Sequence, residues 1–445
     1  MTSPLSYTPP DLQPSRPGPV RRRHVFYIPG YDPEGRTRYR LLFVRELTRR
    51  TKRFGEGKRA ISPASLSECG LVQSWRVGAH AQTNGAETSY DVLLWDDIVA
   101  RDFARPRALS VALLLAGTTH CIVAGAMARF YRLNWKYGNV ILYPFVMVLL
   151  LALVSVVLGM VVHDHLGDRF GHSMRLPLWA SVPAAILVGI LWIAAIETLL
   201  NRIFFWQLLN DWVFNYQHGQ GRRPDYVRRL DVFADHMIAR VAELAAAGEA
   251  VDEVMIVGHS SGALTAVEVA ARVLARDPRL GEGATNLALV TLGSGLPLVA
   301  IQPQAAALRE EVKALVTSPR LVWLDVQAPQ DWMNFPGFIP QKDLALDLGD
   351  APVANPLVRS ACFREILSPE TYARVKNRPF RMHFQFLLAN DVPGAYDFFS
   401  MTLGPQRLRE RVLEPIVERP LVLRPQAEGG PEVPPVCPPA AGVAA

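Results

Sequence analysis

Apolar positions along this chain fall into three patterns, and each predicts a different kind of element. Short runs without polar alternation come first: residues 25–28, 254–257, 287–292 and 321–326, all rich in β-branched or large aliphatic side chains. Such runs read as strands buried on both faces, the habit of parallel sheets. Two weaker strand signals lie near residues 71–77 and 90–95. Helical periodicity comes second. Residues 36–54 predict a helix with Leu41, Leu42, Val44, Leu47 and Thr48 turned inward, and residues 225–247 predict another with Val227, Leu230, Ala234, Met237, Val241 and Leu244 on one stripe and Gly248 closing it. Helices separate the later strands, so the order is βαβαβ. That order predicts an α/β fold with a mostly parallel sheet and flanking helices.

The third pattern interrupts the other two. Between Asp97 and Pro224 lie three runs, residues 108–128, 140–162 and 176–196, with no Asp, Glu, Lys or Arg. Each reaches the roughly 20 helical residues that cross a hydrocarbon core. The strands ending at Gly30 and at Gly258 belong to one sheet, so the insertion between them must cross a bilayer an even number of times. Two crossings are expected, 140–162 and 176–196. The run 108–128, broken by Gly117-Thr118-Thr119-His120, lies in the interface or re-enters. Residues 203–216 are short for a span and contain Asp211, and their Phe204, Phe205, Trp206, Trp212, Phe214 and Tyr216 read as an interfacial aromatic belt.

Composition supports the membrane reading. Half the residues are hydrophobic, and the mean hydropathy is +0.12. Four scattered cysteines (Cys69, Cys121, Cys362, Cys437), with no Cys-x-x-Cys pair, argue against a disulfide framework or a zinc site. His163, His165 and His172 have loose metal-ligand spacing but read as an ordinary loop; no metal or cofactor is expected. The net charge of +6 comes from arginines flanking the apolar runs, and no nucleic-acid motif accompanies them. Arg101, Arg105, Arg107, Arg129, Arg132, Lys136, Arg202, Arg222 and Arg223 lie outside the two spans. The loop between the spans balances Arg169 and Arg175 with Asp164 and Asp168. The positive-inside rule then predicts an inner or plasma membrane protein with its globular part in the cytoplasm. Arg21-Arg22-Arg23 is followed by no apolar segment of signal-peptide type. Five segments are expected: a Pro/Arg-rich tail (1–23), the first part of the α/β domain (24–97), the membrane insertion (98–223), the second part (224–419) and a Pro/Ala-rich tail (420–445).

The chemistry gathers where one buried strand runs into a helix. Residues 254–257 lead into Gly258-His259-Ser260-Ser261-Gly262, and Ala263 to Ala270 continue with helical composition. A strand, a tight Gly-x-Ser-x-Gly turn and a helix form a nucleophile elbow: the small flanking residues let the turn close and leave the Ser260 hydroxyl projecting.

With the early Pro29-Gly30-Tyr31 turn and the Leu292-Gly293-Ser294 strand end, this arrangement resembles the α/β-hydrolase superfamily, in particular its lipases and esterases. The resemblance covers residues 24–97 and 224–400. It implies a hydrolase-type mostly parallel sheet interrupted here by a helical transmembrane insertion, with a triad in the order Ser, acid, His. His383 is the one histidine after the elbow helix, and that order makes it the base. Asp331, just beyond the strand 321–326, is the expected acid, with Asp325 second. The resemblance further implies an oxyanion hole from the amide of Ser261 and from Gly30-Tyr31, although the His-Gly-Gly-Gly loop of many esterases is absent. The expected activity is hydrolysis of a carboxylic ester or thioester through an acyl-enzyme on Ser260, with a lipid or other acyl ester and the bilayer as partners. An acyltransferase using the same triad and a non-catalytic membrane scaffold are the alternatives.

Overall fold

A computed structural model describes residues 18–78, 85–169 and 178–413. The apolar runs form one eight-stranded sheet of β1 (Arg22–Ile28), β2 (Ser65–Leu66), β3 (Val72–Val77), β4 (Glu87–Leu93), β5 (Glu253–His259), β6 (Asn286–Leu292), β7 (Leu321–Gln327) and β8 (Leu357–Ser360), in the order β2-β3-β4-β1-β5-β6-β7-β8. From β4 to β8 every pairing is parallel; β3 runs antiparallel to β4, and β2 to β3. Side chains of β1 and β5 alternate between two cores. Phe26, Ile28, Val254 and Ile256 face one, and Val25, Tyr27, Met255 and Val257 the other. Full burial of each such side chain contributes about 1.5–3 kcal/mol. This is why the strands carry no polar alternation.

Strand order sets the position of the site. After β1 the chain runs through α1 (Gly35–Arg53) to strands on one side. After the insertion it returns as β5 on the other side, paired with β1 in register from Arg23↔Glu253 to Ile28↔Gly258. The carboxyl ends of β1 and β5 therefore flank a topological switch point, where open α/β sheets leave a crevice.

The insertion begins with α2 (Asp96–Phe103), α3 (Arg107–Val123) and α4 (Ala126–Leu133), followed by α5 (Trp135–Arg169) and α6 (Leu178–Arg202). Within α5, Trp135–Val162 is long and apolar enough to cross a membrane, with a mean hydropathy of 3.1 over its best window. The second expected span falls in α6. Its described part, Ile186–Arg202, meets the same criterion only together with α7 (Phe205–Gly219), across a bend of 79°. The run 108–128 is two helices, broken at Gly125 (φ 74°), and α3 packs Leu114 and Cys121 into the core against α7. His172 lies outside the described residues, as do the side chains of His163 and His165.

Three expectations need correction. Residues 21–23 are not tail: β1 starts at Arg22, and Arg23 is buried in an ion pair with Glu253 at 2.7 Å. The inward stripe of α1 is Tyr39, Phe43 and Leu47, while Leu41 is 64% exposed and Thr48 is also exposed, because the helix is rotated to lay its aromatic residues on the sheet. The aromatic stretch 203–216 is no interfacial belt. In α7 Phe205, Trp206, Trp212, Phe214 and Tyr216 are buried within the globular core, over α3 and beside α10 (Leu296–Ala300). Burial on both sides accounts for the aromatic composition as well as a headgroup layer does.

After α7, α8 (Pro224–Ala246) and α9 (Ser261–Arg276) pack together on the sheet. In α8, Val227 from the expected stripe is half-exposed, and Tyr226 and Phe233 take its place beside Leu230, Ala234, Met237 and Leu244. Gly248, at φ 73°, ends that helix as expected.

Candidate active site

Ser260 stands between β5 and α9 at φ 60° and ψ −126°. This region costs a non-glycine residue about 1–3 kcal/mol and persists only when its surroundings enforce it. Here the Ser260 amide donates to the Leu292 carbonyl (3.0 Å), while the Ser260 carbonyl accepts from Ala263 (3.0 Å) and Gly295 (3.1 Å). The glycines are needed for space. A β-carbon on Gly258 would stand 2.2 Å from the Gly262 carbonyl oxygen, and one on Gly262 would stand 2.3 Å from the carbonyl oxygens of Ile28 and Pro29. The turn is thus clamped between the ends of β1, β6 and its own helix.

His383 ends a short helix, Pro379–His383, and is buried. Its Nδ1–H donates to Asp331 Oδ2 at 2.7 Å. A carboxylate only accepts, so this bond leaves the lone pair on Nε2. Nε2 is buried and has no hydrogen-bond partner among the described residues. Asp331 is fully buried, and its second oxygen accepts from the Met333 amide (2.9 Å). Asn334 secures the loop by donating to the Ala328 and Asp331 carbonyls.

Beside this pair, His259 donates from Nε2 to the His383 carbonyl (3.0 Å). Burial, and then the nearby His383 charge, push the His259 pKa well below its ordinary value, so it adds no competing cation. Asp325 lies elsewhere: inside β7 it accepts from Thr291 (2.6 Å) and Gln327 (2.7 Å), and burial raises its pKa to about 6.

Ser260 and His383 line one cavity of about 890 Å³. No hydrogen bond joins them among the described residues; such contacts often tighten only with substrate bound. Gly293, at φ 53°, keeps space beside the imidazole, since a β-carbon there would stand 3.2 Å from its Cε1. Two backbone segments border the serine. Ser261 opens α9, so its amide has no acceptor within the helix. A β-carbon on Gly30 would meet Ser260 Cβ at 3.3 Å, so the Pro29-Gly30-Tyr31 turn lies against the nucleophile. Gly30's own amide donates to the Tyr39 hydroxyl (3.2 Å), which leaves Tyr31 as the donor this turn can offer. The Tyr31 hydroxyl is tied to Asp102 (3.0 Å), and Asp102 in turn to Arg223 (2.8 Å).

Asp211 on α7 is the site residue that sequence reasoning missed. It lines the same cavity, and its Oδ1 accepts from the Ser261 hydroxyl (2.9 Å) and from Asn215 (3.1 Å). Burial lifts its pKa to about 6 against the opposing pull of Ser261, His383 and Asn215. One signal was available: a lone acid in the otherwise apolar stretch 203–209 and 211–214 needs a reason to be there. The cavity continues past α7 to Tyr137, Val140 and Ile141 at the start of α5, and its rim carries the half-exposed Phe204 stacked on Phe380 at 3.8 Å.

Among the described residues no cluster of three or more His, Cys, Asp or Glu could hold a metal ion. No protein-family model, curated protein or solved structure matches the chain.

Proposed function

We propose that this chain is a membrane-anchored serine hydrolase of α/β-hydrolase type, cleaving the ester or thioester of a lipid-like acyl substrate. The observation that carries the reading is the Asp331–His383 bond of 2.7 Å, which turns a free Nε2 toward the cavity where Ser260 is held at φ 60°. In this reading His383 takes the Ser260 proton as the hydroxyl attacks the acyl carbonyl, and returns it to the leaving alcohol or thiol. Asp331 keeps the imidazole in its tautomer and stabilises the imidazolium. The amides of Ser261 and Tyr31 receive the oxyanion. Water then attacks the acyl-enzyme with His383 again as base. The lipid-like substrate follows from the cavity wall, whose Tyr137, Val140 and Ile141 belong to the first turns of the apolar helix. An acyl chain leaving the bilayer along α5 reaches Ser260 without crossing water. The globular part lies on the cytoplasmic side.

The test is hydrolysis by purified protein of esters of increasing chain length, and of diacyl lipid in vesicles, with Ser260→Ala as control. Serine-dependent cleavage that rises with chain length is expected. Cleavage of short soluble esters alone would overturn the lipid substrate, and activity that survives Ser260→Ala would overturn the mechanism.

A further inference from the structure

The reaction above uses Ser260, His383 and Asp331 and leaves one carboxylate in the cavity without a task. Asp211 is delivered by α7, the helix that follows the membrane segment, and both of its side-chain bonds end on Oδ1. Oδ2 is the oxygen left for the cavity. Groups facing the carboxyl from neighbouring elements are the Ser261 hydroxyl of α9, Asn215 of α7, Tyr31 after β1, Tyr137 of α5 and His383. His383 is the one group among these that can become a cation.

We propose that Asp211 positions the water that hydrolyses the acyl-enzyme and thereby makes the site a hydrolase rather than an acyltransferase. This rests on the serine-hydrolase reading. The chemistry of hydrogen-bond donors decides between the two acceptors. In the acyl-enzyme the acceptor lies between two lone pairs, His383 Nε2 and Asp211 Oδ2. Water has two O–H bonds and can donate to both, which aims its own lone pair at the acyl carbon. An alcohol has one; donating it to His383 leaves its alkyl group against a buried carboxylate, a poor contact. As water attacks, its oxygen bonds to the acyl carbon and one proton passes to His383 Nε2. The bond from that carbon to Ser260 Oγ then breaks, the proton moves to Oγ, and a free carboxylic acid leaves. The carboxyl titrates near pH 6, so this discrimination weakens as the medium is acidified through that value.

The experiment is the partition of one acyl-enzyme between water and added methanol or glycerol, read as the ratio of free acid to transferred ester. The ratio is internal to each turnover, so lower folding yield or slower acylation does not move it. Asp211→Asn should shift the ratio toward transfer by about tenfold, the worth of one charged hydrogen bond. It should also abolish the wild-type drift toward transfer below pH 6. Asp211→Glu, which keeps the charge, should lie between the two. An unchanged ratio in Asp211→Asn that still turns over overturns the assignment. A wild type that forms no acyl-enzyme on Ser260 instead overturns the hydrolase reading beneath it.

Discussion

Ser260 sits in a backbone conformation that only its surroundings make tenable, and that conformation is the most direct link between this sequence and its chemistry. Every contributor is local, since Gly258, Gly262 and the β5 and α9 residues lie within a few positions of it. The elbow is therefore legible from the chain alone. The base and acid were legible for another reason: once order along the chain is used, only one histidine remains. Choosing between Asp331 and Asp325 needed the loop after β7 folded back on Asn334, a contact that no periodicity records. Asp325 yields a prediction at this scale. Its folded-state pKa of about 6 exceeds the ordinary carboxyl value near 4, so the folded protein holds this proton more tightly than the unfolded chain does. Its contribution to stability is complete below about pH 4 and is lost as pH rises through about 6. Asp325→Asn should flatten that part of the stability-versus-pH curve and leave esterase activity within a few-fold of wild type. Asp331→Asn should cost on the order of 10⁴ in kcat. Unfolding curves and rates of the two variants, measured side by side, check both statements.

Among the elements, β1 and α7 were read least well, and for a shared reason. Three arginines after a proline-rich stretch read as solvated tail, yet Arg23 is buried: it bonds Glu253 of β5 and donates to the carbonyls of Gly404 (2.7 Å) and Gln406 (2.8 Å). Partners about 230 and 380 residues away leave no local mark. Likewise, the aromatic residues of α7 suit a headgroup layer and a protein core equally well, and only tertiary packing decides between them. Removing one member of a buried, hydrogen-bonded ion pair strands the other, typically at about 3–5 kcal/mol. Arg23→Met should therefore lower the unfolding free energy by about that amount, read as a lower denaturant midpoint. A loss under about 1 kcal/mol, the usual worth of an exposed pair, would mean that β1 is not held by this pair.

At the scale of the molecule, parallel pairing of β1 with β5 places the two halves of the sheet on one side of any membrane that the insertion enters. The cavity then joins the sheet's switch point to the base of the apolar helix α5. Orientation can be tested with Cys69, which is exposed, whereas Cys121 and Cys362 are buried. In a Cys437→Ser background, a membrane-impermeant maleimide should label Cys69 in inside-out vesicles and not in intact cells; the reverse pattern would invert the topology. The account depends most on Ser260 being an activated nucleophile. Its most direct test is fluorophosphonate labelling of membranes carrying wild type, Ser260→Ala or His383→Ala. Wild type should label on Ser260, and both variants should lose the signal. Folded wild type that takes no label, or label that persists in Ser260→Ala, would contradict the account.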